Sequence, residues 1–164
     1  MSRKQHAAGW LTVLCLWAGA SGVAQDIKLD GVSAPKKIHL ALLTDGVQVM
    51  PGTEQIVELR FRVDEGYHIN SHKPMDDLLI PTTLKFELGP VKVVHMDYPQ
   101  GEIIKLLGNG EGLDVYQGEF KVQVKLMAPR GFSTMTGTIK YQACDNEACF
   151  PPKTLAVKVA VTAK

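Results

Sequence analysis

The chain has 164 residues, 45% of them apolar, with 18 Lys and Arg against 17 Asp and Glu for a formal net charge of +1. A near-neutral balance provides no electrostatic basis for binding nucleic acid or an anionic membrane. Nor does the length support more than one domain once a leader is set aside.

Residues 1–24 read as that leader. Arg3 and Lys4 make a positive start, Ala7 to Ala20 is mostly apolar, and Gly22-Val23-Ala24 offers small residues for cleavage near Ala24. This is the pattern of a secretory signal peptide. The exported chain is then residues 25–164, periplasmic or secreted. No later stretch approaches the roughly 20 apolar residues needed to span a bilayer.

From there the periodicity is that of strands. Lys37 to Leu43 is the first short candidate. In Gln55 to Val63, Val57, Leu59, Phe61 and Val63 alternate with Glu58, Arg60 and Arg62, so one face is apolar and the other wet. Tyr67 to Asn70, Thr82 to Leu88 and Val91 to Met96 follow as short candidates. Phe120, Val122, Val124 and Leu126 alternate with Lys121, Gln123 and Lys125. Thr136 to Ala143 and a last strand carrying Leu155, Val157, Val159 and Val161 complete the series. Turn residues punctuate it at Asp45-Gly46, Pro51-Gly52, Glu65-Gly66, Gly89-Pro90 and Pro129-Arg130-Gly131. Seven or eight such strands predict an all-β, immunoglobulin-like antiparallel β-sandwich. Ser71 to Pro81 and Tyr98 to Asp114 do not alternate and read as long loops, the second rich in glycine.

Of the three cysteines, Cys15 leaves with the leader, and Cys144 and Cys149 remain with four residues between them. Export puts this pair where a disulfide persists. A loop this short constrains the unfolded chain by only about 2 kcal/mol, against about 4.7 kcal/mol for a 100-residue loop. The pair is therefore poorly suited to stapling a sandwich with several apolar strand faces, and better suited to a local redox couple. Asp145 and Glu147 lie between the cysteines, with no cation until Lys153. Acidic neighbours disfavour a thiolate, which predicts a carrier opened by a partner's activated thiolate. Pro151 and Pro152 supply no N–H and send the chain onward in extended conformation.

The segment Tyr141-Gln-Ala-Cys-Asp-Asn-Glu-Ala-Cys-Phe-Pro-Pro152 resembles the active-site stretch of the N-terminal periplasmic domain of the thiol:disulfide interchange protein DsbD. Glu65-Gly-Tyr-His-Ile-Asn70 and Asp114-Val-Tyr-Gln-Gly-Glu-Phe120 resemble two other strands of that domain, in the same order. The resemblance implies an immunoglobulin-like protein-disulfide reductase module. It would pass electrons between thioredoxin-fold periplasmic proteins, including disulfide isomerases and cytochrome c maturation factors. It further implies that Cys149 forms the mixed disulfide with partners and Cys144 resolves it. A cap over the disulfide would lie near Asp97, Tyr98 and Pro99, leading into the glycine-rich loop. His68 and Asn70 align with a tyrosine pair near the family site, giving His68 a part in proton transfer. No cofactor and no metal are implied, and the domain is expected to act as a monomer. The family's best-studied form has five residues between its cysteines where this chain has four. That larger protein also continues into membrane and thioredoxin-like domains; a chain ending at Lys164 would take its electrons from a separate donor.

Two other readings compete. One is an immunoglobulin-like binding module with an inert disulfide. The other is a zinc or copper site using His68 and His72 with the cysteines. The histidines stand four apart on a strand running into a loop, so helical i, i+4 geometry does not favour the metal.

Overall fold

The structure is a computed structural model, describing residues 38–105 and 112–164. The expected leader and the glycine-rich residues 106–111 lie outside the described residues. Among the described residues, twelve strands form three four-stranded sheets. The first sheet has the order β1-β3-β9-β6, with β1 at Leu40–Leu42, β3 at Gln55–Val63, β6 at Lys92–Asp97 and β9 at Glu119–Met127. The second has the order β2-β12-β10-β5, from Gly46–Val49 (β2), Thr83–Phe86 (β5), Gly131–Tyr141 (β10) and Lys153–Ala163 (β12). The third has the order β11-β4-β8-β7, from His68–Asn70 (β4), Glu102–Ile104 (β7), Leu113–Tyr116 (β8) and Ala143–Cys144 (β11). The fold is all-β and immunoglobulin-like.

The alternation read from the sequence becomes the packing. Leu59 and Phe61 of β3, Val122 and Val124 of β9, and Val157, Val159 and Val161 of β12 are fully buried, while the residues between them face outward. One apolar cluster joins these side chains to Ile139 and Tyr141 of β10 and to Ile69, Tyr116 and Ala143 of the third sheet. Burial of this area removes apolar surface from water and drives the layers together.

Two expectations are corrected. The sandwich is not wholly antiparallel: β2 runs parallel to β12, with Gly46 opposite Ala160 and Val49 opposite Ala163. The stretch Tyr98 to Asp114 is not simply a loop, because it contributes β7 and the start of β8, paired from Glu102↔Val115 to Ile104↔Leu113. Strands this short carry too few residues for alternation to register.

The feature that positions the cysteines is a change of sheet. β10 and β12 form a long antiparallel hairpin whose last pair is Tyr141↔Lys153. At Gln142 the chain leaves the second sheet, and Ala143 and Cys144 pair with Ile69 and His68 in the third. The connection from 142 to 152 is therefore an excursion from the tip of a rigid hairpin to the edge of another sheet. Pro151 and Pro152, without N–H groups, end it just before the ladder resumes at Lys153.

Candidate functional site

Cys144 and Cys149 are joined by a disulfide, with their Cα atoms 4.0 Å apart. The local backbone explains why the bridge forms here. Phe150 N–H donates to Ala143 O (2.9 Å), and Asp145 N–H donates to Ala148 O (3.0 Å). These two bonds flank the antiparallel pair Cys144↔Cys149. The cysteines thus occupy a non-hydrogen-bonded position, where opposed side chains approach most closely, with Cα atoms about 4.5 Å apart. The four residues between them turn on Asp145, whose Oδ1 accepts the N–H groups of Glu147 (2.8 Å) and Ala148 (2.8 Å). Those backbone bonds, from Ala148 and then Glu147, hold the Asp145 carboxyl below its ordinary range. The acid read from the sequence as a simple repulsive neighbour is thus committed to holding the turn.

The two sulfur-bearing residues are not equivalent. Cys144 is 1% exposed, whereas Cys149 lies on the exposed side of the turn. On its other flank Cys144 is paired with His68. Directly opposed residues of an antiparallel pair point to the same face, so the imidazole and the Cys144 side chain share one. His68 is buried, and its Nε2 has no hydrogen-bond partner among the described residues. Burial lowers the His68 pKa below its ordinary value, opposed by the negative charge of Asp145, so the ring is neutral at pH 7.

Asn70 is fully buried, and its Nδ2 donates to Ile80 O (3.0 Å) and to Gln142 Oε1 (3.3 Å). Gln142 Nε2 in turn donates to Phe150 O (3.1 Å). The Phe150 ring lies 5.8 Å from that of His39 and 5.9 Å from that of Tyr67, and these two stack on each other at 3.7 Å. Gln142 and Tyr67 fall within the segments that carry the resemblance, but no sequence signal marks their contacts or those of His39. Phe150 follows a cysteine and precedes two prolines, but only the fold reveals what its ring meets.

The remaining predicted residues gather elsewhere. Asp97 ends β6, and its Oδ1 accepts the Nε2–H of His95 (2.9 Å). The Tyr98 ring stacks on His72 with centroids 3.6 Å apart, and its hydroxyl accepts the N–H of Leu84 (2.8 Å). Burial pushes the Tyr98 phenol up, so it stays protonated. Pro99 O accepts the Tyr116 hydroxyl (3.0 Å). Among the described residues, the hydrogen bonds and ring stacks of Tyr98 run to His72 and Leu84, and none runs to the disulfide turn. Asp97, Tyr98, Pro99 and His72 instead line a cleft of about 520 Å³ with Asp114 and Tyr116. The described residues contain no group of three or more His, Cys, Asp or Glu arranged to hold a metal ion, and no helix long and apolar enough to cross a membrane.

An immunoglobulin-like domain that buries one cysteine of a short disulfide loop and leaves the other exposed has the build of a thiol:disulfide interchange module. The family described as the N-terminal domain of the thiol:disulfide interchange protein DsbD matches residues 42–161, and the chain belongs to it. Among solved structures, the chain is similar to the DsbD N-terminal domain of Neisseria meningitidis in its reduced form, at 21% identity and a TM-score of 0.44, over 74% of this chain and 81% of that one. It is also similar to the N-terminal periplasmic domain of ScsB from Proteus mirabilis (11% identity, TM-score 0.49, 73% of this chain and 43% of that one). A PapD-like domain of human CEP192 matches at 12% identity and a TM-score of 0.36, over 81% of this chain and 92% of that one. Among curated proteins, none matches significantly.

Proposed function

We propose that the chain works in the periplasm as an electron carrier, accepting electrons from one thioredoxin-fold protein and delivering them to another through Cys144 and Cys149. The observation that carries this reading is the asymmetry of the pair: Cys149 is exposed and Cys144 buried. An incoming thiolate attacks Cys149 Sγ, because Cys149 is the exposed residue of the pair. A bond forms between the donor sulfur and Cys149, and the Cys144–Cys149 bond breaks. Cys144 leaves as a thiolate and takes up a proton. The donor's second thiolate then attacks its own bridged sulfur and releases Cys149. Two electrons have passed, the donor is a disulfide, and this chain is a dithiol. Delivery to a client disulfide runs the same steps in reverse, with Cys149 attacking and Cys144 closing the ring.

His68 is the group for the proton. A buried Cys144 thiolate is costly without a proton or hydrogen bond, and the neutral imidazole beside it has a ring nitrogen without a partner among the described residues. It accepts the Cys144 thiol proton when that sulfur attacks and returns it when that sulfur leaves.

The experiment is a mixed-disulfide trap in periplasmic extract. Cys144→Ser should accumulate adducts on Cys149 that contain a thioredoxin-fold protein. Absence of any adduct with Cys144→Ser and with Cys149→Ser alike would favour an inert disulfide on a binding module.

A further inference from the structure

Phe150 is held by more than the turn it belongs to. Its N–H bond to Ala143 (2.9 Å) is part of the cysteine hairpin, but its carbonyl is held by Gln142 Nε2 (3.1 Å). Gln142 is itself fixed by Asn70 of β4 (3.3 Å), whose side-chain amide also reaches Ile80 O (3.0 Å). Gln142 sits where the chain passes from the second sheet to the third. One side chain at the crossing point thus ties the residue after Cys149 to a buried amide of β4, the strand that pairs with Cys144.

Resting on the carrier reading above, we propose that Gln142 is a positioning residue for the dithiol, which keeps Cys149 opposite Cys144 while the disulfide is open. In the oxidised protein the S–S bond fixes the neck of the turn by itself. In the dithiol, and in a mixed disulfide on Cys149, only non-covalent contacts hold that neck. Ring closure is attack of the Cys144 thiolate on Cys149 Sγ, with expulsion of the bound thiolate. Its rate and equilibrium scale with the effective concentration of one sulfur at the other. Loosening the neck therefore adds freedom chiefly to the open forms, lowers that effective concentration and shifts the balance toward dithiol.

The test uses the full exported chain and glutathione, so it needs no biological partner. Gln142→Ala removes both side-chain bonds. Gln142→Glu keeps nearly the same shape and still accepts from Asn70, but replaces the donor to the Phe150 carbonyl with an acceptor. Each should lower the equilibrium constant for oxidation by glutathione disulfide about fivefold, the scale of one net hydrogen bond. Release of glutathione from the mixed disulfide on Cys149 should slow by a similar factor, while the thermal midpoint of the oxidised form stays near that of the parent. Should Gln142→Ala fail to fold, the near-isosteric Gln142→Glu decides. Equilibrium constants within twofold of the parent for the folded variants would overturn the proposal. So would a shift accompanied by a large fall in the oxidised midpoint, which marks a merely structural residue. Neither outcome bears on exchange with thioredoxin-fold partners, which the trapping experiment reads separately.

Discussion

Cys144 and Cys149 lie directly opposite each other across a two-strand neck, yet Cys144 is buried and only Cys149 is exposed. The sheet creates this difference: Cys144 is flanked by His68 of β4 on one side and by Cys149 on the other. On the proposed reading, an approaching partner thiolate meets Cys149 before Cys144.

The single-cysteine variants should therefore react unequally. With an aromatic disulfide reagent at pH 8, the free thiol of Cys144→Ser should react at least about tenfold faster than that of Cys149→Ser, because access limits thiolate reactivity. Equal rates would remove the assigned order of attack.

Stability should depend on pH through His68. Its folded pKa lies below the ordinary value of 6.5 because burial disfavours the charged ring. The unfolded chain then binds this proton more readily than the folded one. The contribution is complete above about pH 6.5 and is lost as pH falls from there toward the folded pKa. Urea titrations between pH 8 and 5 should show that decline, and His68→Gln should flatten it. An unchanged slope in the variant would assign the effect to another group.

Ile69 anchors the third sheet to the core. It is fully buried, paired with Ala143 on one side and with Tyr116 on the other. Ile69→Ala should cost about 2–5 kcal/mol by loss of buried surface and creation of a cavity. A shift in the urea midpoint, with unchanged slope, measures it.

At Gly137 there is no room for a side chain. A Cβ there would meet the backbone carbonyl of Lys85 and come within 2.8 Å of the Phe86 ring and 3.0 Å of its Cα. The obstacle is largely the backbone of β5, which pairs with β10 at this point. Gly137→Ala should therefore destabilise by about 1–3 kcal/mol, as overpacking does, and lower the thermal midpoint. A midpoint equal to the parent's would show that β5 can move aside freely.

The long strands were legible because period-two burial writes itself into nine or more residues, as in β3 and β9. β7 and β11, of three and two residues, were not, because a strand that short has no period. The parallel pairing of β2 with β12 was also hidden, since its partners lie more than a hundred residues apart and parallel pairing leaves no turn signature. At the site, Cys144 and Cys149 stood out by spacing alone. Gln142, His39 and Tyr67 did not, because their importance lies in touching Phe150 or its carbonyl.

The sequence alone determined that two cysteines would sit near each other after a strand, in a chain of alternating apolar faces, beside an acid and before two prolines. Chemistry and spacing suffice for that. Which sulfur is buried, which ring stands beside it and what holds Phe150 were decided by the crossing at Gln142 from one sheet to another. Pairing with β4 buries Cys144, while the return of the chain leaves Cys149 at the edge. Burial and neighbourhood depend on which distant strands meet. The local order of residues does not contain that information.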